Sequence, residues 1–284
     1  MALRFEKYHG IGNDFLVVAA PSPEALSPED AVRLCDRHFG IGGDGVLVVS
    51  PGERARAQMT VLNADGSRPE MCGNGLRCVA LYLARKAGQK RAEFTVLTDA
   101  GPRLCHVELS ENGKLGQVRT SMGRGVLGQS FVYEAPHSHG SSAGGAASPE
   151  DAPFSFQRVS MGNPHAVCFR EPISSAQLDE IGSTISAAEP GGTNVEIVTQ
   201  RGPRELEVAV WERGVGRTLA CGTGAVGATV VAAKLGKVPF DEAITVRLPG
   251  GSVLVTVCSD LATFFEGPAE FVFEGQTALA ELSS

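Results

Sequence analysis

The 284-residue sequence has no long apolar run and no recognisable export signal. Its longest apolar stretch, around residues 225–233, falls far short of the roughly 20 residues that a membrane-spanning helix needs. An apolar run near the N-terminus, Phe15–Ala20, follows Asn13 and Asp14 and is too short for the core of a signal peptide. We therefore expect no association with a membrane.

Positive charge is also scarce. The chain has 25 Lys and Arg residues against 32 Asp and Glu residues, a formal net charge of −7. No cluster of basic residues is long enough to follow a phosphate backbone, so nucleic acid is not an expected partner. The seven cysteines are an odd number in a chain with no export signal, which favours reduced thiols in the cytoplasm.

Glycine, by contrast, is abundant. The 35 glycines make up about 12% of the chain, against an average near 7%. They follow no three-residue period, which excludes a collagen-like chain. The length exceeds the roughly 250 residues at which a single core stops growing, so two domains are expected. The glycines must then lie where the backbone needs a positive φ or close approach to another group.

The sequence contains one internal repeat. Residues 42–47 align with 192–197 at an offset of 150, and CGNG at 72–75 aligns with CGTG at 221–224 at an offset of 149. Further short matches before and after these blocks keep the same order. Collinear matches over about a hundred residues indicate a duplicated domain.

Each copy is expected to contain one strong helix after its cysteine motif, over Leu76–Lys86 and Ala225–Lys234. A smaller helix is expected over Pro28–His38 and over Ser175–Ser186. Runs rich in β-branched residues predict strands. The predicted strands are Met59–Asn63, Phe94–Leu97, Leu104–Leu109, Leu206–Trp211, Ile244–Leu248 and Val253–Val257.

Strands that outnumber helices favour an α+β fold. We predict two pseudo-symmetric, internally duplicated domains, each a mainly antiparallel sheet wrapped around its central helix. The first domain is assigned residues 1–118 plus 269–284, and the second residues 119–268. Residues 134–153, rich in Gly, Ser, Ala and Pro, are predicted to be a flexible insertion.

The two cysteine motifs carry the most specific chemistry. Cys72 and Cys221 each lie at a glycine-rich turn that opens a helix, where free N–H groups favour anions. A cysteine in this position is expected to have a lowered pKa. Two such cysteines related by pseudo-symmetry suggest facing groups on either side of one ligand. A thiolate could remove a proton from one face of a carbon while a thiol adds one to the other face.

Other interpretations of the cysteines stay open at this point. Free cysteines are often buried core residues, and Cys72 and Cys221 could instead form a disulfide bond. Zinc binding is not expected, because neither Cys35-x-x-His38 nor Cys72-x5-Cys78 has a second pair of ligands at a suitable spacing. Of the two matches to G-x-G-x-x-G, the first is followed by a strand instead of a helix, and the second opens a helix but is separated from the preceding strand by ten residues, so neither is a dinucleotide site.

Six segments of the sequence suggest a family. They are HGIGNDF (9–15), FGIGGDG (39–45), NADGSRPEMCGNGLRC (63–78), MGNPH (161–165), ERG (212–214) and ACGTGA (220–225). The chain resembles the diaminopimelate epimerases over nearly its whole length. The resemblance implies two α/β halves with the active site in the cleft between them, and a homodimer. It also implies cofactor-independent inversion of one α-carbon of LL-diaminopimelate to the meso form, with no metal.

The resemblance assigns roles to individual residues. Cys72 corresponds to the thiolate base and Cys221 to the thiol acid for the LL-to-meso direction, with the roles exchanged in reverse. His165 corresponds to a residue near the base that tunes thiolate formation. The substrate-binding residues fall into three groups. The N–H donors to the reacting carboxylate are Gly73, Asn74, Gly222 and Thr223, and the groups at the reacting ammonium are Asn13 and Glu212. The groups at the distal end are Asn63, Asn163, Asn194 and Arg213.

One departure from the family is visible at Gly45, where many members carry Gln. The asparagines could also have a structural role in turns. Glu212 and Arg213 could form a surface ion pair, and His165 could be a core residue. Two alternative functions remain. One is a proline-racemase-like enzyme, for which a distal-end clamp has no use, and the other is a thiol redox or binding protein.

Overall fold

The fold was analysed in a computed structural model that describes residues 2–134 and 153–283. Nearly all of the predicted insertion, residues 135–152, lies outside the described residues. None of the described helices is long and apolar enough to cross a membrane.

The first half of the chain contains seven strands and two helices. They are β1 (Leu3–Gly10), β2 (Asn13–Ala19), α1 (Pro28–Cys35), β3 (Gly45–Ser50), β4 (Ala57–Asn63), α2 (Gly73–Lys86), β5 (Arg91–Thr98), β6 (Gly101–Leu109) and β7 (Leu115–Arg124).

The described part of the second half adds nine strands and two helices. They are β8 (Val126–Tyr133), β9 (Phe154–Ser160), β10 (Pro164–Phe169), α3 (Ser175–Ala188), β11 (Asn194–Gly202), β12 (Glu205–Glu212), β13 (Gly216–Arg217), α4 (Gly222–Lys234), β14 (Ala243–Leu248), β15 (Gly251–Val257) and β16 (Ala262–Thr277).

The strand pairings repeat between the halves. In the first half β1–β2, β3–β4, β5–β6 and β6–β7 are antiparallel, whereas β2–β3 and β4–β5 are parallel. The second half has the same series, with β9–β10, β11–β12, β14–β15 and β15–β16 antiparallel and β10–β11 and β12–β14 parallel. The predicted duplication and mainly antiparallel sheet are confirmed.

Strand β16 links the two halves. Its first part pairs with β15 and β7, and its last part pairs with β1. The pairing with β1 closes the strands of the first half into a ring of eight, in which β16 is the eighth. The final strand of the chain therefore contributes to both halves. The domain bounds at residues 118 and 269 stay a prediction.

Each half encloses one helix. Helix α2 packs with Tyr8, Leu47 and Val107 in the first core, and α4 packs with Val208 and Val255 in the second. Helix α4 is apolar on every side, and all but its last residue is buried, as expected for a helix surrounded by sheet. Helices α1 and α3 pack on the outer faces of the sheets in two smaller cores.

The strand register shows that the sequence offset between the two copies changes from 150 to 149 residues within this part of the chain. Phe15 pairs with Gly45 across β2 and β3, and His165 pairs with Asn194 across β10 and β11. His165 lies 150 positions after Phe15, but Asn194 lies 149 positions after Gly45. The sequence alignment, which placed Asp44 over Asn194, was wrong by one residue at this point. Gly45 is the structural equivalent of Asn194.

The helices begin and end where their capping groups permit. Helix α2 begins three residues before the predicted start, because Cys72 is its N-cap. Helix α1 ends at Cys35 instead of the predicted His38, because the Asp36 carboxylate accepts hydrogen bonds from the N–H groups of His38 and Phe39 and turns the chain. Helix α2 ends before Gly88, whose positive φ of 63° suits the C′ position.

Candidate active site between the two halves

Cys72 and Cys221 are the N-cap residues of the two central helices. The Cys72 Sγ atom accepts a hydrogen bond from the N–H group of Gly75 at 3.3 Å, and the Cys221 Sγ atom accepts one from Gly224 at 3.4 Å. Cys72 is half-buried and Cys221 is buried. All seven cysteines of the chain are free thiols. The predicted placement of both thiols at helix N-termini is confirmed.

The two helix N-termini touch. A Cβ atom added at Gly222 would lie 3.4 Å from the Cα atom of Gly73, and one added at Gly73 would lie 3.6 Å from the Cα atom of Gly222. Both added atoms would also contact the ring of Phe265, at 3.3 and 3.5 Å. The two glycines let the backbones meet above one aromatic ring, and a methyl group at either position would be in tight contact with its neighbours.

A cavity of about 640 Å³ opens between the halves. It is lined by both cysteines and by every other residue of the predicted set except His165: Asn13, Asn63, Gly73, Asn74, Asn163, Asn194, Glu212, Arg213, Gly222 and Thr223. The structure thus brings residues from six separate segments to one cavity, which is also lined by residues that were not predicted, such as Phe15, Asp44 and Thr218.

The first N–H groups of each central helix have no carbonyl acceptor within the helix. The first intrahelical bonds run from Leu76 to the Cys72 carbonyl at 2.8 Å and from Ala225 to the Cys221 carbonyl at 3.0 Å. The N–H groups of Gly73, Asn74, Gly222 and Thr223 precede these bonds, and all four residues line the cavity. Two helix dipoles therefore point their positive ends toward one space, which favours an anion there.

Asn74 and Asn13 form a hydrogen-bonded pair on the first-half side. The Asn74 Nδ2 atom donates to Asn13 Oδ1 at 3.1 Å and to the Ala220 carbonyl of the other half at 3.1 Å. The Asn13 Nδ2 atom in turn donates to Asp44 Oδ2 at 2.6 Å. Asp44 therefore orients Asn13, a role that sequence reasoning missed because an aspartate in a glycine-rich segment is typical of a turn.

The second-half asparagines are held in a similar way. Asn163 Nδ2 donates to Thr223 Oγ1 at 3.3 Å. Asn194 Oδ1 accepts the backbone N–H of Arg213 at 2.9 Å, which ties β11 to the end of β12. The Arg213 guanidinium is exposed and donates to the Gly191 carbonyl at 2.9 Å. Among the residues that the structure describes, this backbone oxygen is the one hydrogen-bond acceptor of the Arg213 side chain, so its other donors can reach a ligand.

His165 does not line the cavity and lies against Gly227 of α4. Its Nδ1 atom lies 2.6 Å from Glu196 Oε1, and its Nε2 atom lies 3.1 Å from Asn163 Oδ1. The His165 and Glu196 side chains are completely buried. Among the described residues Cys72 is not a hydrogen-bond partner of His165, and the tuning role of this histidine stays a prediction. His165 supports Asn163 and the helix of Cys221 instead.

Gly45 faces a crowded part of the backbone. A Cβ atom there would lie 2.8 Å from the Leu62 carbonyl oxygen and 3.5 Å from the Phe15 ring. A side chain at position 45 would require this strand to move. Phe15 lines the cavity next to this position.

The thiol pKa values run against the sequence expectation. Burial raises the pKa of Cys72 to about 11, although hydrogen bonds from the N–H groups of Gly75 and Asn74 oppose the shift. Burial, reinforced by the negative charges of Glu212 and Glu196, raises the pKa of Cys221 well above its usual value. Loss of hydration outweighs the helix N-terminus in the free protein. Both shifts favour the protonated thiols near neutral pH.

Glu212 is an acidic residue of the cavity wall that affects the pKa of both thiols. Burial raises the pKa of its carboxyl group, and hydrogen bonds from Thr218 and Cys221 oppose that rise. The negative charge of Glu212 raises the pKa of Cys72 and of Cys221 alike. A cation bound against Glu212 would remove this effect from both thiols. Within the described residues, no group of three or more His, Cys, Asp or Glu side chains could hold a metal ion.

Comparison with known proteins decides the family. Residues 5–127 and 158–272 match the sequence model of the family described as diaminopimelate epimerase. The diaminopimelate epimerase of Desulfitobacterium hafniense is 41% identical over 277 residues, which cover 95% of this chain and 96% of that protein. The chain belongs to the diaminopimelate epimerase family. The corresponding protein of Synechococcus elongatus is 39% identical over 289 residues, covering 99% of this chain and all of the relative.

Solved structures show how widely this fold is shared beyond the diaminopimelate epimerase family. A probable proline racemase from Agrobacterium radiobacter K84 has a TM-score of 0.72 at 14% identity, over 98% of this chain and 93% of that one. A predicted epimerase from Pseudomonas aeruginosa has a TM-score of 0.71 at 13% identity, over 97% of this chain and 99% of its own. At such identities the likeness concerns the fold alone. All six segments that carried the sequence resemblance lie within the ranges that match the diaminopimelate epimerase family.

Proposed function

We propose that this protein interconverts LL- and meso-diaminopimelate by a two-base mechanism at Cys72 and Cys221, without a cofactor. The observation that carries the proposal is the meeting of two cysteine-capped helix N-termini at Gly73 and Gly222. Relatives about 40% identical over nearly the whole chain carry the name diaminopimelate epimerase.

The reacting carboxylate is assigned to the N–H groups at the start of the two helices. Removal of the α-proton pushes negative charge from the carbon into this carboxylate. Donors that are already oriented stabilise the charge without reorganisation, and the loss of one such donor typically costs 10²–10³-fold in rate. Because Gly73 and Gly222 lack side chains, their backbones can approach the carboxylate from both halves.

The proton balance of the reaction is simple. In the LL-to-meso direction the Cys72 thiolate takes the α-proton, and the electron pair is delocalised into the carboxylate. The Cys221 thiol then delivers its proton to the opposite face of the same carbon. The cycle ends with Cys72 as thiol and Cys221 as thiolate, and the meso-to-LL direction uses the same steps in reverse.

The substrate itself is assigned a part in forming the thiolate. Its reacting ammonium is placed between Asn13 and Glu212, both of which line the cavity. Glu212 raises the pKa of both thiols in the free protein. A bound ammonium offsets this negative charge and lowers the pKa of both thiols, so that proton loss from one of them becomes easier only in the complex.

The distal end of the substrate is assigned to Asn63, Asn163, Asn194 and Arg213. Arg213 suits a carboxylate because its planar guanidinium can donate two parallel hydrogen bonds. A cavity of about 640 Å³ is far larger than a free proline needs. This part of the site favours diaminopimelate over the small substrate of a proline racemase.

The test compares substrates and variants under reducing conditions. Purified protein should convert LL-diaminopimelate to the meso form and leave L-proline unchanged. Cys72→Ala and Cys221→Ala should each abolish turnover while retaining the wild-type circular dichroism spectrum. Racemisation of proline without reaction of diaminopimelate would favour the alternative enzyme. Retained epimerisation in either cysteine variant would exclude the two-base assignment.

Two further properties stay predictions. The resemblance implies a homodimer, which sedimentation velocity would detect as a species of twice the 29.7 kDa chain mass. The cytoplasmic location rests on the odd number of cysteines, all of which are free thiols.

A further inference from the structure

Two charged side chains are completely buried near the cysteine pair, and the mechanism above uses neither. Arg77 and Glu196 both have a relative exposure of 0%. The Nη1 and Nη2 atoms of Arg77 and the Oε2 atom of Glu196 have no hydrogen-bond partner among the described residues. Burial of charges with incomplete pairing costs free energy, so such groups are rare without a function.

Arg77 lies in the second turn of α2, the helix capped by Cys72. Its guanidinium stacks on the ring of Phe265 at 4.4 Å from the centroid, and its Nε atom donates to the Pro268 carbonyl at 3.3 Å. Phe265 is the ring on which Gly73 and Gly222 rest. Burial lowers the pKa of Arg77 to about 10, which still leaves the side chain cationic at neutral pH. The cation–π contact partly compensates for the missing partners.

The space for Arg77 depends on a glycine of β1. A Cβ atom at Gly10 would lie only 2.9 Å from Arg77 Nη2. Gly267 of β16 also lies against this side chain, since a Cβ atom there would be 3.5 Å from Arg77 Nε and Cζ. Residues of two different strands therefore leave space for the buried Arg77 guanidinium.

Glu196, on strand β11, lies against the start of the other central helix. A Cβ atom at Gly224 would lie 2.6 Å from Glu196 Oε1 and 3.2 Å from Cys221 Sγ. Glu196 therefore lies directly beneath the turn whose N–H group binds the Cys221 thiol. His165 holds its Oε1 atom at 2.6 Å and leaves Oε2 without a partner.

The pseudo-symmetry shows that each charge is present in one half only. The equivalent of Arg77, 149 positions later, is the buried Val226. Glu196 follows Asn194 by two residues, as Leu47 follows the equivalent Gly45, so Leu47 takes the place of Glu196 in the first half. Correspondingly, Leu47 is the side chain nearest an added Cβ atom at Gly75, at 2.9 Å.

We propose that Arg77 and Glu196 are positioning residues that make the two cysteines electrostatically unequal, Arg77 favouring the thiolate of Cys72 and Glu196 favouring the thiol of Cys221. A duplicated site with equal thiols has no preferred proton distribution. The two buried charges select the form in which Cys72 accepts a proton first. The kinetic meaning of this bias rests on the proposed function, but the bias itself is a property of the free protein.

The charges that reach each thiol agree with this assignment. The positive charge of Arg77 lowers the pKa of Cys72, whereas Glu212 raises it. Glu212 and Glu196 both raise the pKa of Cys221. Glu212 raises the pKa of both thiols, and Cys221 is also hydrogen-bonded to it. Arg77 acts on Cys72 and Glu196 acts on Cys221, so these two charges add to the difference between the cysteines.

The test measures thiol alkylation in the ligand-free protein. Wild type, Arg77→Met and Glu196→Gln are treated with iodoacetamide between pH 7 and 10, and peptide mass spectrometry follows Cys72 and Cys221 separately. One pKa unit corresponds to a tenfold change in thiolate fraction. We expect Arg77→Met to slow alkylation of Cys72 about tenfold with little change at Cys221. Glu196→Gln should accelerate alkylation of Cys221 about tenfold with little change at Cys72.

The control is Arg170→Met. Arg170 also stacks on an aromatic ring, that of Phe154 at 3.7 Å, and its Nε atom also has no hydrogen-bond partner in the described part of the chain, but Arg170 does not line the cavity. Its variant should leave both alkylation profiles unchanged. Arg77→Lys retains the charge and should preserve most of the Cys72 reactivity, which separates charge from packing.

The outcomes distinguish this proposal from the proposed function. Equal alkylation profiles of Cys72 and Cys221 in the wild type would overturn the proposal, whether or not the protein epimerises diaminopimelate. Parallel changes at both cysteines in either variant would also overturn it. If Arg77→Met does not fold, the near-isosteric Glu196→Gln decides the question alone. Absence of epimerase activity with intact alkylation asymmetry would refute only the proposed function.

Discussion

The contact between Gly73 and Gly222 permits a sharp prediction for the variant Gly222→Ala. The added Cβ atom would lie 3.3 Å from the Phe265 ring and 3.4 Å from the Gly73 Cα atom. Carbon atoms prefer separations of about 3.5–4.0 Å. The two helix N-termini must therefore move apart by a few tenths of an ångström, and the methyl group also narrows the place assigned to the carboxylate.

The effects on stability and on activity should separate. Gly222 opens a helix and is not among the glycines with positive φ. Replacement by Ala stabilises such a position by about 0.4–1 kcal/mol through the unfolded chain, and the tight contact offsets a gain of this size. We expect a net change in unfolding free energy within about 1 kcal/mol. Because N–H donors at the reacting carboxylate are displaced, kcat/KM should fall about 100-fold.

The measurement is the initial rate of meso-diaminopimelate formation together with urea unfolding. Gly202→Ala is the matched control, since the nearest atom to an added Cβ there is Glu205 Cβ at an ordinary 3.6 Å. It should keep wild-type activity. A Gly222→Ala variant with undiminished kcat/KM would refute the placement of the carboxylate between the two helices. Gly73→Ala, whose Cβ would lie 3.0 Å from Met122 Cε, provides an independent repeat.

Three further predictions concern stability and the link between the halves. Asn74→Ala removes the hydrogen bond to the Ala220 carbonyl across the cleft. The variant should lose about 1–3 kcal/mol of unfolding free energy and at least tenfold in kcat/KM, and urea unfolding and kinetics equal to those of the wild type would contradict this. Gly182→Ala would place a Cβ atom 2.3 Å from Trp211 Cγ, so it should lower the unfolding free energy by about 1–3 kcal/mol. The fluorescence of this single tryptophan reports urea unfolding, and an unchanged unfolding midpoint would contradict the prediction. Burial raises the pKa of the Cys105 thiol to about 12, so its stabilising effect is complete below the unfolded pKa near 9 and is lost as the pH rises toward 12. Unfolding free energy should therefore fall between pH 8 and 10, and Cys105→Ala should reduce this fall by about 1.4 kcal/mol. An identical fall in the variant and the wild type would show that this thiol titrates normally when folded.

Much of the fold follows from local patterns in the sequence. The paired cysteine motifs and the glycines after α2 and α4 placed both central helices, and β-branched runs placed the strands around them. The repeat indicated the duplication because glycine-rich turns keep their spacing when other residues diverge. The closing of the first half by β16 had no local signal, because strand pairing over such a distance depends on the whole sheet.

The site was predictable where residues act through the backbone or lie in distinctive motifs. Cys72, Cys221 and the glycines beside them were found in this way. Arg77 was not assigned a role, since an arginine within a helix is usually a solvent-exposed residue. Its burial depends on small residues at Gly10 and Gly267, which come from distant strands.

The thiol pKa values show a second limit of sequence reasoning. A helix N-terminus lowers a cysteine pKa when water or a cation remains nearby. In this fold the enclosing sheets desolvate both thiols, and the acidic Glu212 adds to the effect. The motif alone does not reveal how deeply it is buried, so the expected direction of the shift was wrong for the free protein.

The central claim is that two cysteines on opposite faces of one carbon exchange its proton. The most direct test is the distribution of deuterium early in the reaction of LL-diaminopimelate in heavy water. Two separate bases predict meso product that carries solvent deuterium at the inverted carbon, while the unreacted LL pool remains unlabelled. Protium retained in the early product, or deuterium entering substrate and product equally, would contradict the two-cysteine account.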